Sequence, residues 1–183
     1  MPIILLIGIF IVSKQNNLFL IGLMGAGKTT IGKQLAKQLD KTFYDADHEI
    51  EARTGVKVAV IFDLEGEEGF RKREAAVIDE LTQLDNIVLA TGGGAVLFAE
   101  NRVALQDNGY VIYLRATVND LYKRMRHDKQ RPLLQNVDIQ AKLEQLYQER
   151  HPIYTEVADC IVDTGRQPAS VLINQIKKTY KAL

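Results

Sequence analysis

Four consecutive apolar residues, Leu18-Phe19-Leu20-Ile21, run into a glycine-rich stretch from Gly22 to Gly27, and the rhythm then changes. Between Lys28 and Leu39 the apolar residues Ile31, Leu35 and Leu39 recur four apart. A short unbroken apolar run is the pattern of a buried strand, and a spacing of four is that of a helix with one buried side. The alternation continues. Thr42-Phe43-Tyr44 reads as a second strand that ends at Asp45-Ala46-Asp47. Glu67 to Leu84 reads as a helix with Phe70, Glu74, Val77, Ile78 and Leu81 at helical spacing. Ile87-Val88-Leu89-Ala90 is a third strand, stopped by Gly92-Gly93-Gly94. Tyr110 to Leu114 forms a fourth strand and Ile161-Val162 lies in a fifth. Helical segments follow Thr117, Asp138 and Pro168. Strands alternating with helices predict a parallel sheet covered on both faces. No repeat, low-complexity tract or Pro/Gly/Ser linker divides the 183 residues, so one α/β domain is expected.

The apolar pattern starts earlier than the domain. Met1 to Val12 are almost all apolar, and Ser13-Lys14-Gln15-Asn16-Asn17 breaks the run. About 20 apolar residues are needed to span a bilayer as a helix. No Lys or Arg precedes the run, and no small-x-small cleavage pattern follows it. Residues 1–17 therefore read as an apolar extension, an extra strand or a tail, ahead of a domain at 18–183. No stable membrane association is expected. Composition adds limits. Lys+Arg is 23 and Asp+Glu is 23, so any electrostatic site must be local rather than a whole-surface attraction to nucleic acid. The single cysteine, Cys160, excludes an intrachain disulfide and a cysteine-based zinc site, and fits a reducing compartment such as the cytoplasm.

The chemistry begins at the first turn. Gly22-Leu23-Met24-Gly25-Ala26-Gly27-Lys28-Thr29 matches G-x-x-x-x-G-K-[ST] and sits between a strand and a helix, the context such a phosphate loop needs. Glycines let backbone N–H groups turn inward around phosphate oxygens, and the following helix presents its positive end. Lys28 can neutralise β/γ-phosphate charge and the Thr29 hydroxyl can ligate Mg²⁺. Gly25, Ala26, Gly27, Lys28, Thr29 and Thr30 are thus candidate nucleotide-binding residues, with Lys28 catalytic. The third strand ends without an acidic residue, whereas Asp45 and Asp47 close the second. A spacing of two in an extended segment puts both on one side. One would hold metal-bound water while the other faces an acceptor hydroxyl. The alternative for Asp47 is a helix N-cap ahead of His48-Glu49-Ile50. The glycine triplet lets backbone approach a small ligand. Val58 to Gly66 imitates a strand with a D-x-x-G switch, but no N-K-x-D tetrapeptide accompanies it, and the stretch also fits a helical turn before Gly66 with a second helix from Glu67.

At these residues the sequence resembles the shikimate kinase family, over about residues 18 to 180. The blocks that carry the resemblance are Gly22 to Thr29, Phe43-Tyr44-Asp45-Ala46-Asp47, Gly66-Glu67-Glu68-Gly69-Phe70-Arg71, Ala90-Thr91-Gly92-Gly93-Gly94, Arg131-Pro132-Leu133-Leu134 and Glu149-Arg150-His151-Pro152-Ile153-Tyr154. The resemblance implies phosphorylation of the 3-hydroxyl of shikimate with MgATP, in the route to chorismate and aromatic amino acids. It implies a nucleoside-monophosphate-kinase-like fold with a five-stranded parallel sheet in the order 2-3-1-4-5 and a mobile lid at about 123–135. It also implies roles. Asp47 binds shikimate hydroxyls and is the base or orienter. Arg71 and Arg150 hold the carboxylate, and Gly93 gives a backbone contact. Thr29 ligates Mg²⁺ and Asp45 supports it through water. Arg131, on the lid, reaches the ATP phosphates with a catalytic role, and Gln167 contacts the adenine side.

The residue types agree with that chemistry, since a planar guanidinium matches a carboxylate in a fork where a lysine would not. Without the resemblance, Arg71 reads equally as a solvated helix charge and Arg150 as a cation at a helix end. Lys123 to Arg131 is the densest basic run; it reads as a lid that brings charge to the triphosphate, with most of its individual charges solvated. His48, His127 and His151 lack metal-ligand spacing and are expected at the surface. Cys160 is expected to pack as a small hydrophobe. Two other functions remain at this point: a kinase for another small polyol acid such as gluconate, and a nucleotide-dependent switch without turnover. The expected partners are shikimate and ATP, with no nucleic acid, and the expected state is a monomer.

Overall fold

The computed structural model describes residues 16–128 and 131–181. Five strands form one all-parallel sheet: β1 (Leu18–Ile21), β2 (Thr42–Asp45), β3 (Ile87–Ala90), β4 (Tyr110–Arg115) and β5 (Cys160–Asp163), in the order β2-β3-β1-β4-β5. The pairing of β1 with both neighbours begins at Leu18, which is in register with Val88 of β3 and Tyr110 of β4. Every residue of β1 and β3 is buried, which explains why these strands are unbroken apolar runs rather than alternating ones. Each large side chain so buried contributes roughly 1.5–3 kcal/mol. The edge strands β2 and β5 are only partly covered.

Among the described residues seven α-helices connect and cover the strands: α1 (Lys28–Leu39), α2 (Ala46–Thr54), α3 (Val58–Thr82), α4 (Ala99–Asn108), α5 (Val118–Met125), α6 (Ile139–Val157) and α7 (Ala169–Lys181). Helix α1 packs with α7, α3 with α2 and α4, and α5 with α6. The helix starts expected after Thr117 and Asp138 are capped by those side chains, which accept from the backbone N–H of Asp120 and Ala141. Helix α3 breaks at Gly66, where φ is 70° and ψ is −178°. Its first part includes Val58 to Glu65, so the stretch that imitates a GTPase strand is helical. Helix α4 has no counterpart in the sequence pattern. It buries only Asn101 and Leu105, and its apolar Val103 faces solvent, so no periodic stripe marks it.

Asn16 and Asn17, read as part of the extension, tie into the lower end of the sheet. Asn17 is buried; its side chain donates to the carbonyls of Leu84 (2.6 Å) and Asn108 (3.2 Å) and accepts from Ile87 N–H (3.0 Å). The apolar run Met1 to Val12 lies outside the described residues, as do Lys129 and Gln130 of the expected lid. Among the described residues no helix is long and apolar enough to cross a membrane. At the opposite end of the sheet the loops after β1, β2 and β3 converge. Between β3 and β4 the strand order reverses about β1, the position at which open α/β sheets bind ligands.

Candidate active site

The loop after β1 borders a cavity of about 990 Å³, within the range of ligand pockets. Gly22, Gly25 and Gly27 have φ of 140°, 79° and 98°, values a side chain would oppose. They bend the chain into the start of α1. Gly27 supplies no side-chain cap there, so the first-turn amides of α1 are left for a ligand, with the positive end of the helix dipole behind them. Ala26, Lys28, Thr29 and Thr30 line the same wall. Lys28 is buried, and its ammonium donates to the carbonyl oxygens of Gly22 (2.7 Å) and Leu23 (3.0 Å). Burial pulls its pKa from 10.5 down to about 8, with Asp47 pulling the other way.

Thr29 Oγ1 donates to Asp45 Oδ2 at 2.6 Å. The other oxygen of Asp45 accepts from the backbone N–H of Asp47 (3.1 Å) and His48 (3.4 Å). Asp45 is therefore the N-cap of α2, and Asp47 is not. The expectation that Asp45 and Asp47 share one side of an extended segment also fails, because β2 stops at Asp45 and Asp47 is already helical. Both nevertheless line the cavity, since α2 starts at the very end of the strand. Burial, reinforced by Asp45, pushes the Asp47 carboxyl above the usual carboxylate range, while Arg131, Lys28 and Arg71 oppose the rise. Arg131 Nη1 stands 3.5 Å from Asp47 Oδ2, and Asp128 holds its Nε at 3.6 Å. Lys123, Arg124 and Met125, placed in the lid by the basic run, belong to α5.

A recess opens beside Asp47, lined by Phe62, Phe70, Arg71, Gly93 and Arg150. Arg71 and Arg150 are both buried. The Arg71 guanidinium bridges Glu74 (Nη1–Oε2, 2.7 Å) and Glu67 (Nη2–Oε1, 2.9 Å). Burial works against its charge, but Glu74 and Glu67 hold it protonated more firmly than usual. Burial pushes the Glu74 carboxyl up, with Arg71 pulling it down. Arg71 Nε and Arg150 Nε and Nη1 are buried with no hydrogen-bond partner among the described residues. A buried unsatisfied donor costs about 1–3 kcal/mol, so the recess concentrates donors that lack an acceptor. The glycine triplet makes the recess possible. A Cβ on Gly92 would stand 2.0 Å from Glu74 Oε1 and one on Gly94 2.2 Å from Arg71 Nη2.

Gln167 also lines the cavity. Sequence reasoning missed Arg124, which was one charge in a basic run. It bridges the two ends of that region: Nη1 donates to Gly25 O (2.9 Å), and Nη2 to Gly165 O (2.9 Å) and to the carbonyl of Thr164. It also missed Glu74, whose helical spacing with Phe70 and Val77 reads as core. His48 and His127 are exposed, as expected. His151 is not simply a surface residue: it stacks on Tyr147 (4.8 Å, 11°), and its Nδ1 lies 3.1 Å from the Tyr113 hydroxyl. Cys160 is half-buried against the core.

The shikimate kinase family model matches residues 24–181. The shikimate kinase of Thiobacillus denitrificans is 64% identical over 155 residues, covering 85% of each chain. That of Chromobacterium violaceum is 61% identical over 161 residues, covering 88% of each. Among solved structures, the shikimate kinase of Acinetobacter baumannii in complex with shikimate superposes with a TM-score of 0.89 at 45% identity, covering 92% of this chain and 94% of that one. A match of this extent, on the fold and the phosphate loop described above, makes the chain a member of the shikimate kinase family.

Proposed function

We propose that this chain transfers the γ-phosphoryl group of ATP to the 3-hydroxyl of shikimate, giving shikimate 3-phosphate and ADP. The observation that carries the reading is the pair of buried guanidiniums with unpaired donors, Arg71 and Arg150, set beside Asp47 and the glycine triplet. Such a recess suits a small polyol with one carboxylate. Relatives at 61–64% identity carry the shikimate kinase name, which favours shikimate over gluconate.

Phosphoryl transfer asks the protein mainly for position and charge. The amides at the start of α1 and Lys28 take the phosphates. Arg71 and Arg150 fork the shikimate carboxylate and so fix the ring, and backbone at Gly93 meets a hydroxyl. Asp47 orients the 3-hydroxyl and accepts its proton as the oxygen bonds to phosphorus. Its raised pKa brings it nearer the range where a carboxylate is a useful base. Arg131 leaves Asp47 for the phosphates. Arg124 and Gln167 border the adenine end. Thr29 and Asp45 present two oxygen donors that fit Mg²⁺, a hard cation that is held by one or two protein oxygens, water and phosphate. Bound there, Mg²⁺ would neutralise phosphate charge. A cytoplasmic monomer is the state proposed. All the residues invoked come from one chain, and a lone thiol suits a reducing compartment.

The test is to titrate ATP and shikimate separately against three variants. Arg71→Ala and Arg150→Ala should each weaken shikimate affinity by about ten- to a hundredfold, since each loses a charge-assisted bond of roughly 1.5–3 kcal/mol, and should leave ATP affinity unchanged. Asp47→Asn should lower kcat more than it raises KM. Arginine variants that impair ATP instead, or an Asp47→Asn protein that turns over normally, would refute the acceptor site.

A further inference from the structure

Tyr154 closes the last of the sequence blocks described above, and nothing in the mechanism uses it. It is completely buried on α6. Its ring packs against Tyr113, with centroids 4.9 Å apart, and its hydroxyl donates to the carbonyl oxygen of Gly93. Burial pushes the phenol pKa up, so the group stays a donor at any working pH. It lies four residues after Arg150, on the same face of the helix.

The bond falls where the backbone is least constrained by its own residues. Gly92, Gly93 and Gly94 have no Cβ to limit their dihedral angles. Their carbonyls are each held differently. Gly92 O accepts from Ala95 N–H (3.2 Å) and Gly94 O from Leu97 N–H (3.0 Å), both short-range backbone bonds. Gly93 O accepts from Tyr154, 61 residues away. A peptide unit is planar and trans, so fixing the Gly93 carbonyl also fixes the Gly94 N–H, which points the opposite way. Gly93 lies at a junction, where a Cβ would be in ordinary van der Waals contact with both sides. A Cβ there would lie 3.4 Å from the phosphate-loop amide nitrogen of Met24 and 3.8 Å from Arg150 Nη1.

We propose that Tyr154 is a positioning residue: it locks the glycine triplet so that the triplet's backbone and the Arg150 guanidinium, both held by α6, form one rigid acceptor subsite. The inference rests on the recess being the shikimate site. Gly92 and Gly93 border both the phosphate-loop cavity and the recess, whereas Gly94 and Arg150 line the recess and not the larger cavity, so the lock acts mainly on the acceptor side.

Tyr154→Phe keeps the ring and removes only the hydroxyl, which donates to Gly93 O and faces the Arg150 guanidinium, the two groups of the proposed subsite. One neutral hydrogen bond is worth about 0.5–1.5 kcal/mol, or a factor of two to ten. The variant should raise KM for shikimate by about two- to tenfold, leave kcat within about twofold and leave KM for ATP unchanged. Tyr113→Phe removes the neighbouring hydroxyl without touching the triplet and should leave both KM values unchanged. A folded Tyr154→Phe protein with parental shikimate KM would overturn the proposal, as would an equal rise in both KM values. A second measurement needs no variant and no turnover. Backbone ¹⁵N order parameters of Gly93 and Gly94 in the parent protein should be near about 0.85, the value of rigid backbone, and values below about 0.6 would refute the lock. If the parent protein ignores shikimate, the functional reading fails while this second measurement still decides whether the lock exists.

Discussion

Replacing Lys28 with methionine should separate catalysis from stability. The ammonium is buried and held by two carbonyls. Its pKa is pulled from 10.5 to about 8, chiefly by burial. At about 1.4 kcal/mol per pH unit, keeping this charge inside the folded protein costs roughly 3 kcal/mol. The sign follows from proton binding. Between pH 8 and 10.5 the unfolded chain holds the proton and the folded chain releases it, so this penalty is complete below pH 8 and fades as pH rises. Methionine removes the penalty and the donor together. Leu23 O keeps a second donor, Ala26 N–H at 3.1 Å, so the main loss is at Gly22 O, about 1–3 kcal/mol for a buried carbonyl. The two effects nearly cancel, and unfolding free energy should move by less than about 2 kcal/mol in urea titrations. Catalysis has no such offset. Losing the charge at the phosphates should cost about 4 kcal/mol, on the order of a thousandfold in kcat/KM by coupled ADP release. Activity within tenfold of the parent would refute the phosphate-loop role. A loss of more than about 4 kcal/mol in stability would make Lys28 a structural residue instead.

The same pKa predicts how ATP binding responds to pH. Above about pH 8 the free protein loses the Lys28 proton, so ATP affinity should fall by up to about tenfold per pH unit, and Lys28→Arg should flatten that slope; a flat parental profile up to pH 9 would contradict it. Gly92→Ala should abolish shikimate turnover, because its Cβ would meet Glu74 Oε1 at 2.0 Å and Asp47 Oδ1 at 3.4 Å. Gly165→Ala, whose Cβ meets only Asp120 Oδ2 at 3.9 Å, should remain active. Equal activity of the two variants in the coupled assay would refute the packing argument.

The phosphate loop and the strand order were legible because their signals are local: a motif between an apolar run and a periodic helix, and a family pattern carried by contiguous blocks. Arg71, Arg150 and Gly93 came from that family pattern, since taken alone each reads equally as a surface charge or a plain loop. What stayed hidden depends on distance. Asp45 and Asp47 meet one cavity by a strand-to-helix change that a spacing of two does not encode. Arg124 acquires its role only when β5 brings Thr164 and Gly165 to it, 40 residues on. Helix α4 escaped because it buries two residues and no stripe. Tyr154 could be seen as part of a block, but the carbonyl it holds lies on another element.

Phosphoryl transfer with shikimate as acceptor is decided by an acceptor panel. The full chain is given MgATP with shikimate, with gluconate, or with no acceptor, while ADP release is followed and the product is examined by ³¹P NMR. ADP release should depend on shikimate, with one phosphate monoester on the 3-position and background rates with gluconate or without acceptor. Release of ADP that ignores shikimate, or that prefers gluconate, would contradict it.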